Sequence, residues 1–148
     1  MTTISRSALV PYTPAEMYAI VNDVEAYPDF IKWCKKGEVL QATAEEVSAS
    51  LTLSYSGIER SFATCNRIHP PKMIEVRLLD GPFKHLDGYW RFEDIQGKGC
   101  NIRFDLEFEL AGRLVDVAFG HLFSKMANAL VDCFCQRAVE LYGPRQLA

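Results

Sequence analysis

The chain has 148 residues, 49% hydrophobic and 24% charged, with a formal net charge of −3. A chain of this length is expected to form one domain, 1–148, burying about 70% of its unfolded surface around one core. The charge balance excludes a global attraction to DNA or to anionic lipid, so any basic contact is local, and no stretch approaches the ~20 apolar residues that cross a bilayer.

Thr2 to Val10 reads as a strand ending at Pro11. Thr13 suits an N-cap, Pro14 the first helical position, and Glu16 stands three residues beyond the cap. A helix carrying Met17, Tyr18, Ile20 and Val21 follows and gives out at Asn22 and Asp23. Pro28 then favours a second short helical turn holding Phe30 and Ile31. The segment EAYPDFIKWCKK, Glu25 to Lys36, is dense in aromatics and closes on lysines, and it leads the chain into a sheet.

Beyond Gly37 the hydrophobic period becomes two. Val47, Ala49, Leu51, Leu53 and Tyr55 alternate with polar residues, and Ser56-Gly57 marks a turn. A strand from Ile58 to Ile68 runs into Pro70-Pro71; Ile74, Val76 and Leu78 form the next, broken by Asp80-Gly81-Pro82. Phe83 to Asp94 resumes, with Leu86, Trp90 and Phe92 on one face. Ile102, Phe104, Leu106 and Phe108 then alternate with Arg103, Asp105, Glu107 and Glu109, so the sheet is covered on one side. From about Leu114 the period is helical: Val115, Phe119, Leu122, Met126, Leu130, Phe134 and Leu141, stopped by Gly143-Pro144. Short turns demand antiparallel pairing, and one long helix must cover the apolar face. The expected class is α+β: a curved antiparallel sheet of about seven strands around one C-terminal helix, with two short helices after the first strand.

This order resembles the helix-grip fold of the START/polyketide-cyclase superfamily, and within it the coenzyme-Q-binding START-domain family, which includes the bacterial ribosome association toxin. The resemblance is carried by VPYTPAEMYAIVNDVEAYPDFIKWC (10–34), DGPFKHLDGYWRF (80–92) and FSKMANALVDCFCQRA (123–138), and it covers essentially the whole chain. The family leads one to expect a proline where this chain has Lys32. The resemblance implies a hydrophobic ligand, ubiquinone (coenzyme Q) for the nearest subgroup, held in an internal cavity by a quinone chaperone or carrier that supports cellular respiration. It implies no catalysis and no catalytic cofactor. The alternative within the same family is binding to the large ribosomal subunit and blocking subunit joining.

The candidate ligand-binding residues are Phe30, Trp33, Tyr55, Phe62, Leu78, Phe83, Leu86, Trp90, Phe104, Leu106, Phe119, Phe123 and Met126, with Gly88 and Gly120 leaving room beside them. Phe30 and Trp33 either cap the core or form a cavity gate opposite Phe83; the residues leave both readings open. Lys32, Lys35 and Lys36 are the candidate contacts to a membrane surface or to RNA. His69, His85 and His121 fall on three elements without metal-ligand spacing, and no nucleophile or phosphate-binding motif occurs, so no catalytic residue and no metal are expected. The five cysteines read as reduced thiols packed as small hydrophobes. The protein is expected in the cytoplasm, with peripheral contact at the inner membrane if it loads a lipid.

Overall fold

The computed structural model describes residues 1–112 and 116–146. β1 is Thr2–Val10, followed by helix α1 (Pro14–Asn22) and a 3-10 helix (Val24–Asp29). β2 (Cys34–Ala42), β3 (Glu46–Tyr55), β4 (Ile58–His69), β5 (Met73–Asp80), β6 (Phe83–Asp94) and β7 (Cys100–Leu110) come next, and α2 spans Asp116–Tyr142. The seven strands form one curved antiparallel sheet in the order β1-β7-β6-β5-β4-β3-β2. Its apolar face is closed by α2, the helix-grip arrangement.

Local chemistry explains most boundaries. Thr13 and Glu16 form a reciprocal capping box: Thr13 N–H donates to Glu16 Oε1 at 2.9 Å, and Glu16 N–H to Thr13 Oγ1 at 3.1 Å. Ser56 and Gly57 both have positive φ, 52° and 84°, the geometry of a tight hairpin whose twist matches its strands. That turn sets the β3–β4 register, which pairs Leu51 with Phe62 and Ala49 with Thr64. On β7, Ile102, Phe104, Leu106 and Phe108 are buried while Arg103, Glu107 and Glu109 are exposed.

Three expectations need correction. The short helical turn starts four residues before Pro28 and contains it: the 3-10 helix runs through Val24–Asp29, and Phe30 is its C-cap. Val24 and Tyr27 supply its buried side chains, so the turn forms where apolar side chains can dock rather than where proline could start a helix. β2 escapes the alternation rule because its pairing with β3 shifts twice, at Cys34/Lys36 and Val39/Gln41. Leu141 is 52% exposed; at its end α2 packs against Tyr12 through Tyr142, and the buried face passes through Ala138 instead. Leu114 and Val115, read as the start of the last helix, lie outside the described residues.

Candidate functional site: a small apolar cavity under the long helix

Between α2 and the sheet lies a cavity of about 80 Å³. Phe62, Leu86, Trp90, Phe104, Leu106, Phe123 and Met126 line it, all expected from the sequence. Trp90 stacks on Phe104 with centroids 4.1 Å apart and planes 15° apart, and its edge meets Phe134 at 5.1 Å. One wall is therefore flat and stiff, while Met126 and Leu130 on α2 offer a deformable one.

The remaining candidates lie elsewhere. Phe83 and Phe119 are buried in a knot of phenylalanines at one end of α2: Phe83 lies 4.9 Å from Phe123 and 5.7 Å from Phe119, and Phe108 lies 4.8 Å from Phe123. Phe30 packs instead on Phe134, centroids 5.7 Å apart, and on Tyr27, 6.0 Å apart. Phe123 and Phe134 are eleven positions apart on α2, which at 1.5 Å per residue is about 16 Å. Phe30 and Phe83 therefore do not face each other across one opening. Tyr55 is 47% exposed at the hairpin end of β3, beneath Lys125, and does not line the cavity. Leu78, opposite Thr64, is half-buried against the core and also outside the lining.

The glycines work differently from the expectation too. A Cβ on Gly120 would strike the Leu110 side chain, and one on Gly88 the Asp105 backbone carbonyl. Both glycines permit close packing of backbone rather than enlarging the cavity.

Trp33 is half-buried where β2 begins, its carbonyl accepting from Ser54 N–H at 2.9 Å. Of the three lysines, Lys35 pairs with Glu59 at 2.8 Å and Lys36 with Glu38 at 3.0 Å. Lys32 lies 5.9 Å from the Trp33 ring centroid and has no acidic partner among the described residues.

Several lining residues are absent from the sequence-based set. Tyr27 enters from the 3-10 helix; its hydroxyl donates to the Val21 carbonyl, and burial, with Cys34 and Asp23 nearby, pushes its ionisation far above the ordinary range. Thr64 and Asn66 are polar and share the inward parity of Phe62 on β4, which was the available signal. Asn66 Oδ1 is shielded from solvent and has no hydrogen-bond partner among the described residues. Such a group costs about 1–3 kcal/mol. No Asp, Glu, His, Lys, Arg or Cys lines the cavity among the described residues.

On the outer face, His85, Asp87 and Glu107 bring donor atoms within 4.8 Å of one another across β6 and β7. His85 Nε2 lies 3.1 Å from Glu107 Oε1, a cross-strand polar pair on the solvent side. His69, expected in a loop, ends β4 and sits 2.7 Å from Glu75 Oε2.

Residues 10–135 match the family model described as "Polyketide cyclase / dehydrase and lipid transport". The chain is 43% identical to ribosome association toxin RatA of Pseudomonas aeruginosa, over 96% of this chain and 99% of that protein. It is 40% identical to the RatA of Escherichia coli, over 98% and 92%. A more distant relative is the mitochondrial coenzyme Q-binding protein COQ10 homolog B of Xenopus laevis, 25% identical over 97% of this chain and 60% of that one. Among solved structures, an 18 kDa protein of Caulobacter crescentus is 31% identical with a TM-score of 0.74, over 97% and 100% of the two chains. The Zhui aromatase/cyclase from Streptomyces shares the fold at 16% identity, with a TM-score of 0.80 over 97% and 99%. With its seven-stranded sheet gripping one terminal helix, the chain belongs to the START-like polyketide cyclase family.

Proposed function

We propose that this protein associates with the large ribosomal subunit and, when abundant, keeps the subunits from joining. The observation that carries this reading is the identity of 43% and 40%, over nearly the full length, to proteins named ribosome association toxins. The cavity size favours it over quinone carriage. Small-molecule sites usually measure about 300–1,000 Å³, and this one holds about 80 Å³. A quinone ring would have to displace α2 side chains before entering. The COQ10 relative supports ligand carriage as a second reading, with membrane contact belonging to that reading alone.

We read the action as non-catalytic, as the names of the RatA and COQ10 relatives suggest. Among the described residues the cavity lining offers no carboxylate, imidazole, amine or thiol, and the Tyr27 phenol donates to the Val21 carbonyl. Likeness to a cyclase at 16% identity concerns the fold alone. Action on the ribosome would put the protein in the cytoplasm, and of the three lysines expected to meet RNA, Lys32 is the one without an acidic partner among the described residues.

Overproduction followed by sucrose-gradient sedimentation tests this. The expected result is a rise in free subunits, with the protein travelling in the large-subunit fraction and respiration unchanged. An unaltered gradient, together with ubiquinone recovered from the purified protein, would instead establish the carrier reading.

A further inference from the structure

The inner face of β3 ends on an exposed aromatic. Val47, Ala49, Leu51 and Leu53 share one parity and lie buried or half-buried against the core, and Tyr55 continues that series at the hairpin, 47% exposed. Its ring is left uncovered where Ser56 and Gly57, both exposed and at positive φ, turn the chain back. Two lysines flank it. Lys125 of α2 lies over the ring, Nζ 5.8 Å from the centroid. Lys32 approaches from β2: the Trp33 carbonyl accepts from Ser54 N–H at 2.9 Å, which seats Trp33 beside the residue before Tyr55, and Lys32 precedes Trp33. Both lysines are exposed, and neither has an acidic partner among the described residues. Glu59, on the returning strand, is held by Lys35 at 2.8 Å. The outer sheet face, with Asp105, Glu107 and Glu109 on β7, carries the reverse charge.

We propose, resting on the ribosome reading above, that Tyr55, Lys32 and Lys125 form the docking surface for an unpaired stretch of RNA on the large ribosomal subunit. A base stacks on the Tyr55 ring, and the two ammonium groups meet the phosphates on either side of it. Charge selects a polyanion: exposed cations without carboxylate partners, on a chain that carries −3 overall, mark where one can approach. The ring selects unpaired RNA. An A-form duplex keeps its bases stacked and its deep groove closed to side chains, whereas splayed-out bases stack on aromatic rings. A lipid surface is the poorer fit, since segments that lie on membranes present a broad apolar face, and the neighbours of Tyr55 at the tip are Ser54, Ser56 and Gly57. Two cations neutralise two phosphates, so the stacked base contributes more to recognition than charge does.

The test measures binding of the full-length protein to purified large ribosomal subunits by co-sedimentation at several salt concentrations. Tyr55→Ser is expected to weaken binding about tenfold and Tyr55→Phe to keep it within about twofold, because stacking needs the ring and not the hydroxyl. Replacing both Lys32→Gln and Lys125→Gln is expected to flatten the slope of log K against log salt by about 1.4, about 0.7 for each phosphate contact on unpaired RNA. Lys72→Gln with Lys98→Gln, in the turns at the other end of the sheet, is expected to leave affinity and slope unchanged. All these side chains are exposed, so melting temperatures near that of the parent protein are expected throughout. A photo-crosslinker at position 55 is expected to capture RNA. The proposal is overturned, with the ribosome reading left standing, if the parent protein binds the subunits and both Tyr55→Ser and the Lys32/Lys125 variant bind equally well, or if the crosslink lands on ribosomal protein. Binding to phosphatidylglycerol vesicles that Tyr55→Ser abolishes, with subunit binding untouched, makes this a membrane surface and overturns it too. Failure of the parent protein to bind subunits at all removes the ribosome reading, and this surface with it.

Discussion

The indole of Trp33 is half-buried, and its Nε1 is shielded from water without an acceptor among the described residues. Its contribution is apolar contact where β2 begins, and the N–H opposes that contribution. Trp33→Phe is therefore expected to leave the unfolding free energy unchanged or to raise it by up to about 1 kcal/mol. Urea denaturation measures this, and a loss above about 2 kcal/mol would show that the indole N–H is bonded. Phe30 belongs to the same account: it lies between Phe134 and the Arg137 guanidinium, whose central carbon is 4.9 Å from its ring centroid. The aromatic run that reads as a gate or a cap in the sequence is, side chain by side chain, packed against the protein. Lys35 and Lys36 bond to exposed carboxylates, contacts worth about 0–1 kcal/mol each, which reduces the positive charge the segment offers to phosphates.

At the scale of elements, the end of α2 is latched to the start of α1. The Arg145 guanidinium forks onto the Glu16 carboxylate at 2.7 and 3.0 Å, and Tyr12 donates to the Gly143 carbonyl at 2.7 Å. The hydrogen bond from Arg145, then that from the Thr13 backbone, hold the Glu16 carboxyl below its ordinary value of 4.5. A carboxyl depressed in the folded state stabilises it fully above the unfolded value and stops doing so as pH falls through the folded value. Arg145→Gln should therefore lower the melting temperature at pH 7, and the gap to the parent protein should close as pH drops below about 4. A constant gap from pH 7 to pH 3 would assign the effect to lost stacking on Tyr12 and Tyr142 instead. The cap on α1 was legible in Thr13-Pro14 and Glu16, and β7 in its strict alternation, because local chemistry specifies both. β2 was not legible, because its bulges break the period; the second short helix was legible, but not its bounds, which depend on docking Tyr27 under Phe134. Of the seven expected cavity residues, Phe62, Leu86, Trp90, Phe104 and Leu106 were readable as inward parity on single strands, and Phe123 and Met126 from the helical period of α2. Thr64 and Asn66 share the parity of Phe62 on β4 although they are polar, and Phe83 and Phe119 fall outside the lining because parity does not give position along α2.

For the whole molecule, the fold pairs a nearly filled core with a charged outer sheet face. The outward residues of β7 are dominated by Asp105, Glu107 and Glu109 against Arg103, and the chain as a whole carries −3, so broad electrostatic capture of RNA is not its mode. On the proposed reading, ribosome association would rest on shape and a few specific contacts, and its salt dependence is expected to be shallow. The cavity under α2, at about 80 Å³, is small beside the about 300–1,000 Å³ of usual small-molecule sites, which fits that reading better than quinone carriage. The most direct test mixes purified large and small ribosomal subunits with this protein and follows their association by light scattering. Dose-dependent loss of association, relieved by added large but not small subunits and unaffected by ubiquinone, is the predicted result. Full association at saturating protein would contradict the account.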